Sequence, residues 1–171
     1  MKAGVAVFFT QYSITPTRLA LALEERGYES LCAPEHSHIP VSRNSDFPKG
    51  GVLPEKYQDV MDPFVTLSVA AAVTTLLKIA TGICLVVQRD PIHTAKLVAS
   101  LDQISSGRFL FGVGAGWNSE EMRNHGTDYS TRMLLLKERL EAMREIWANE
   151  HASYQGKFVK FSEIIANPKP I

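Results

Sequence analysis

Asp102-Gln103-Ile104-Ser105-Ser106-Gly107-Arg108-Phe109-Leu110-Phe111-Gly112-Val113-Gly114-Ala115-Gly116-Trp117-Asn118 holds a helix end, a strand and a second helix start in one short stretch. Ser106-Gly107 suits the left-handed residue that closes a helix. Residues 109–113 form an apolar run of strand length. Gly114-Ala115-Gly116 turns the chain, and Asn118 with Glu121 has capping-box spacing for the next helix. A strand between two helices, with no hairpin turn, is the signature of parallel βα units.

The same grammar repeats on both sides. Asp90-Pro91 is an N-cap followed by proline at the first helical position, and so is Asp62-Pro63, whose helix is expected to run to about Leu77. Between them, residues 79–87 read as the third strand, with Gly82 inside it. Residues 3–9 are the first strand, Thr15-Pro16 opens a helix that ends at Gly27, and residues 31–33 are the second strand, closed by Pro34. Toward the C-terminus a long helix is expected from near Ser130, with Met133, Leu136, Leu140, Met143 and Ile146 on its apolar face. Tyr154-Gln155-Gly156-Lys157-Phe158 reads as a tight hairpin. Residues 35–59, with Pro40, Pro48 and Pro54, are a loop long enough to suggest a functional role.

Four strand–helix units fit either an open doubly wound sheet or a (β/α)₈ barrel. The first turn, Phe9-Thr10-Gln11-Tyr12, has no glycine, which argues against a dinucleotide-binding sheet. Gly112-Val113-Gly114-Ala115-Gly116 is not that fingerprint either, and it follows the fourth strand. A whole barrel takes about 250 residues. The 171 residues are therefore expected to form a single α/β domain over 1–171, the N-terminal half of a barrel and so truncated.

Composition narrows the function. Eighteen basic and eighteen acidic side chains balance, so nothing draws the chain to nucleic acid or an anionic membrane. The apolar stretch 64–77 is interrupted by Thr66, Ser68, Thr74 and Thr75, which suits a buried helix and not a membrane span. Cys32 and Cys84 lack metal-ligand spacing and read as buried thiols, as expected in a reducing cytoplasm. No metal site is expected, since His36 and His38 have no third ligand in view.

In either architecture, ligands gather at the carboxyl ends of parallel strands. Those ends here are Phe9 with its turn, Glu35-His36, residues 82–88, and Gly114 to Asn118. His36 is the candidate for proton chemistry near neutral pH. Glu35 cannot face the same way as His36 on extended backbone, so it need not be the partner of the imidazole. Gly82 within an apolar strand signals a bulge or a close backbone approach, to a ligand or to a helix. His93, His125 and His151 lie beside helix ends or loops and read as solvated.

Taken together, Leu31-Cys32-Ala33-Pro34-Glu35-His36, Ile79-Ala80-Thr81-Gly82-Ile83 and the opening stretch resemble the luciferase-like monooxygenase superfamily, in particular its F420-dependent branch. The resemblance implies a TIM-like barrel and an oxidoreductase that passes a hydride to a small organic molecule or activates oxygen. It implies a coenzyme F420 ring, with FMN as the alternative, at the carboxyl face. Carried over, the cofactor-binding residues would be Phe9, Glu35, His36, Gly82, Ile83, Gly114, Ala115, Gly116, Trp117 and Asn118, with His36 catalytic. A non-proline cis peptide is implied at Gly82–Ile83. Sugar-phosphate dehydrogenases of the family carry a proton-donating glutamate where Trp117 stands, which argues against that substrate here. A competing expectation is a non-catalytic half-barrel that binds a cofactor, pairs as a homodimer, or completes a barrel with a partner chain.

Overall fold

The computed structural model describes residues 2–171. Its sheet holds β1 (Gly4–Ala6), β2 (Ser30–Ala33), β3 (Lys78–Thr81) and β5 (Phe109–Leu110), parallel and in sequence order. Between them run α1 (Pro16–Glu25), α2 (Pro63–Ala72) and α3 (Pro91–Ile104). Sequential order without reversal is the barrel arrangement and lacks the switch point of a doubly wound sheet. Register makes the assignment concrete. Val5, Leu31, Ile79 and Phe109 form one row across the sheet, and all four belong to the core that also holds Leu67, Val98 and Leu101 of the helices. The alternate row is Ala6, Cys32, Ala80 and Leu110. Its ends, Ala6 and Leu110, are exposed.

The helix starts are those the sequence indicates. Side chains of Thr15, Asp62 and Asp90 accept from backbone N–H groups of the first turn, and each is followed by proline. α2 ends at Ala72, short of Leu77. Two long-range groups account for this. Arg108 donates to the carbonyls of Ala71, Thr74 and Leu77. Glu24 accepts from the N–H groups of Thr75, Leu76 and Leu77. Both redirect backbone groups that a longer helix would have paired internally.

The third and fourth strands are each broken, where the sequence suggested continuous runs. β3 stops at Thr81, a cis peptide joins Gly82 to Ile83, and β4 (Cys84–Leu85) resumes before a 3₁₀ turn. The neighbouring strand breaks in step, with β6 (Val113–Gly114) pairing to β4. Gly112 sits at the break; a Cβ there would lie 2.2 Å from the carbonyl oxygen of Thr81. Thr81 Oγ1 and the Cys84 N–H both donate to the Gly112 carbonyl, at 2.7 and 2.8 Å.

After α4 (Ser119–Asn124), α5 (Arg132–Ala148) packs Met143 and Ile146 into the core, with Leu136 and Leu140 half-buried against it. Met133, expected on that face, is exposed. β7 (Ala152–Gln155) and β8 (Lys160–Ile164) form the expected hairpin, antiparallel and apart from the parallel sheet. Among the described residues no helix is long and apolar enough to cross a membrane.

Glu24 gives the fold a pH signature. Burial opposes its ionisation, but the N–H groups of residues 75–77 outweigh burial and lower its pKa to about 2. A depressed carboxyl stabilises the fold above its unfolded pKa and loses that contribution as pH falls toward the folded value. Glu24→Gln should therefore lower urea stability at pH 7 and flatten the dependence of stability on pH between about 4.5 and 2. Parallel stability–pH curves for the two proteins would contradict the assignment.

Candidate active site at the carboxyl rim

The strand ends converge on a cavity of about 280 Å³. β1 and its extension supply Ala6 and Phe8. The segment after β2 supplies Pro34, Glu35 and His36. The break after β3 supplies Gly82, Ile83 and Leu85, and the turn after β6 supplies Gly116 and Trp117. Tyr57 comes from a 3₁₀ turn, Glu55–Tyr57, in the long loop. His36, Gly82 and Gly116, far apart in sequence, thus border one space.

Period-two alternation decides what the first strand offers. Val5, Val7 and Phe9 face the helices and the core, so Ala6 and Phe8 face the cavity. Phe9, expected at the cofactor, is instead a core residue, 1% exposed. Ala115 is likewise buried in a second apolar cluster with Val87 and Met122. Gly114 packs against the Ile83 side chain, where a Cβ would lie 2.0 Å from Cδ1. Asn118 caps α4, its Oδ1 accepting from the Glu121 N–H at 3.2 Å. These three residues shape the turn and do not line the cavity.

Glu35 borders the cavity, yet its carboxylate is already engaged. Oε2 accepts from the Leu85 N–H at 2.6 Å, and Oε1 accepts from Arg89. Arg89 also pairs with Asp62 and lies 4.9 Å over the Phe64 ring. Burial works against the Arg89 charge, but the two carboxylates outweigh it and raise its pKa. The Glu35–Arg89–Asp62 group joins the end of β2 to β4 and the start of α2.

The imidazole has a different carboxylate. His36 Nδ1 lies 2.8 Å from Glu121 Oε2, and the Ser37 N–H donates to Glu121 Oε1 at 3.1 Å. Glu121 is fully buried on α4. Burial opposes its ionisation, but the hydrogen bond and charge of the His36 imidazole, with further donors from Gln88 and the Ser37 N–H, prevail and lower its pKa. The capping-box spacing drew attention to Glu121 only as a local cap. Its side chain instead reaches across the cleft. His125 is exposed, as expected, and its Nε2 lies 2.7 Å from Ser37 Oγ.

The long loop walls the open side. Tyr57 lies 4.7 Å from Phe8 and 5.5 Å from His36, centroid to centroid, and Phe47 lies 6.0 Å from Trp117. Arg43 stands 5.5 Å over the Trp117 ring. Glu120 pins the loop by accepting from Asn44 N–H and Ser45 Oγ at 2.9 and 2.6 Å. The prolines of the loop signal a functional segment, but no signal in the sequence singles out Phe8 and Tyr57, which line the cavity, or Phe47, which packs on Tyr57 and Trp117.

Burial raises the pKa of Cys84 and Cys32, so neither thiol is poised as a nucleophile. Among the described residues, no three His, Cys, Asp or Glu side chains cluster as metal ligands. A larger surface cavity, about 450 Å³, lies beyond α4 beside Arg123, Thr127 and Tyr129, away from the strand ends.

The dimensions and lining suit a flat ring. Ligand pockets usually span about 300–1,000 Å³, so this one is of ring size and smaller than a whole dinucleotide needs. It is lined by Gly82, Ile83 and Gly116, by the aromatic residues Phe8, Tyr57 and Trp117, and by His36.

Comparison with known proteins agrees with this geometry. The family model described as luciferase-like monooxygenase matches residues 14–171. Uncharacterized proteins of Mycobacterium bovis and Mycobacterium tuberculosis are 43% identical over 174 residues, covering all of this chain and 62% of theirs. Pyrimidine monooxygenase RutA of Pantoea ananatis is 31% identical over 143 residues, covering 80% of this chain and 39% of that protein. The crystal structure of monooxygenase RslO1 from Streptomyces bottropensis superimposes with a TM-score of 0.82 at 27% identity, over 99% of this chain and 50% of that one. The chain thus covers about two-fifths to three-fifths of the length of these relatives.

The Glu35–Arg89 pair should be structural. Breaking a buried ion pair typically costs about 3–5 kcal/mol. With Asp62 still facing Arg89, Glu35→Gln should cost about 2–3 kcal/mol in urea unfolding. A change under about 0.5 kcal/mol would show the pair to be energetically idle.

Proposed function

The chain belongs to the luciferase-like monooxygenase family, and from that premise we propose that its cavity holds the ring of a reduced flavin-type cofactor and oxidises or reduces a small organic molecule there. One observation carries the reading: His36, the Gly82–Ile83 peptide and the Gly116–Trp117 turn surround a ring-sized space at the carboxyl rim. Members of the family use FMN or F420. When bound, the reduced ring would supply two electrons: F420 as a hydride to the substrate, or FMN to O2, one of whose oxygen atoms enters the substrate while the other leaves as water.

The monooxygenase relatives support FMN and an oxygenation as the first choice. Trp117, an indole at the cavity wall where a proton-donating glutamate would stand, argues only against a sugar-phosphate substrate. F420, named first by the sequence resemblance, is the second arm of the test. The protein's own contribution is orientation and proton management. Phe8, Tyr57 and Trp117 provide faces that exclude water. His36 presents Nε2, which takes no hydrogen bond among the described residues, to receive a proton from the reacting molecule. The exposed Ala6 and Leu110 support a further part of the proposal: in the active form this face is covered, by more barrel strands or by a second copy.

Titration with oxidised FMN and with F420, followed by ring absorbance, tests the reading. One of them should bind with one-to-one saturation. Ala6→Trp, at an exposed strand position, should keep the fold and weaken that binding at least tenfold by filling the cavity. Binding of neither ring to the native chain, in monomeric or associated form, would contradict the proposal. His36→Ala should leave ring affinity within about threefold and lower turnover by about 10²-fold or more, the usual scale for a lost acid–base group.

A further inference from the structure

We propose that Glu121 is the positioning residue that decides which ring nitrogen of His36 carries the proton, keeping Nδ1 protonated and Nε2, on the cavity side, a proton acceptor. The inference rests on the reading of the cavity as the reaction site. Its physical basis is a chain of donors and acceptors that permits one assignment. An ionised carboxylate can only accept hydrogen bonds. Glu121 Oε2 stands 2.8 Å from His36 Nδ1, so Nδ1 must carry the proton. In the neutral imidazole the lone pair then lies on Nε2.

Oε1 is fixed just as firmly. The Ser37 N–H, which can only donate, meets it at 3.1 Å. The Ser37 hydroxyl is occupied elsewhere. Asn124 Nδ2 donates to His38 Nε2 at 2.8 Å, so His38 Nδ1 carries its proton and donates to Ser37 Oγ at 2.9 Å. Ser37 Oγ then donates to His125 Nε2 at 2.7 Å, the shorter of its contacts, while Glu121 Oε1 is 3.5 Å away. Burial and the neighbouring His38 lower the His125 pKa, which suits this accepting role. Glu121 therefore faces one fixed donor on each oxygen, from residues adjacent in the chain, with the buried Gln88 side-chain amide close by as a further donor.

This geometry makes an isosteric substitution informative. In Glu121→Gln the side-chain carbonyl must face the Ser37 N–H, because an amide NH₂ there would oppose donor to donor. The NH₂ group is then turned toward His36 Nδ1, which becomes an acceptor. The ring proton moves to Nε2, and the nitrogen facing the cavity changes from acceptor to donor. A residue that merely filled space would leave the tautomer unchanged.

The test is nitrogen NMR of the cofactor-free chain with ¹⁵N-labelled histidine rings, at a pH above the ordinary imidazole range. Native His36 should be the Nδ1–H tautomer, and Glu121→Gln should convert it to Nε2–H. Native His36 found as Nε2–H would overturn the proposal without any variant, even if the variant failed to fold. Retention of Nδ1–H in a folded Glu121→Gln would overturn it too. In turnover, the variant should lose about 100-fold in kcat with KM within threefold. A converted tautomer with undiminished turnover would uphold the role of Glu121 and instead reject His36 as the proton acceptor of the proposed reaction.

Discussion

Val5, Leu31, Ile79 and Phe109 stand in one row across four parallel strands, and this register determines which side chains can meet a ligand. Each of the four faces the helices, so their neighbours along each strand face the other way. A shift of one residue would exchange the two sets. Burial of the Val5 row against Leu67, Val98 and Leu101 opposes such a shift. The carboxyl ends therefore lie on one rim, and residues as far apart in sequence as Ala6 and Trp117 border a common space.

On that rim, polar contacts divide into two systems that sequence proximity would have merged. Glu35 and His36 are adjacent in the chain but serve opposite sides. Glu35 turns toward Leu85 and Arg89 and holds the framework together. His36 turns toward Glu121 and keeps one nitrogen for the cavity. A carboxylate matched to an arginine lends rigidity, while a carboxylate matched to an imidazole sets a tautomer. The family fold supplies the rim, and these pairings give it chemical direction.

Much of the fold was legible because its signals are local. Thr15, Asp62, Asp90 and Asn118 cap helices through atoms two or three residues away, and such caps survive in any context. What misled were features settled at long range. The run ending at Phe9 is apolar throughout, so no alternation in the sequence distinguished Phe8 from Phe9. The breaks in the third and fourth strands depend on each other, through Thr81 and Gly112. The early end of α2 depends on Arg108 and Glu24, neither of which lies within it. Glu121 carried a visible signal, its spacing from Asn118, but that spacing explains its backbone N–H and not its carboxylate. Its partner lies 85 residues away, and only the fold brings the two together.

The central claim is spatial: a planar redox ring lies at the rim between the Gly82–Ile83 peptide, His36 and the Gly116–Trp117 turn. A crystal structure of the chain grown with saturating FMN or F420 measures this directly. The account predicts ring density in that cleft, within contact of Gly82, Ile83 and Trp117. Ring density in the cavity beyond α4 beside Arg123, with the rim empty, would contradict it.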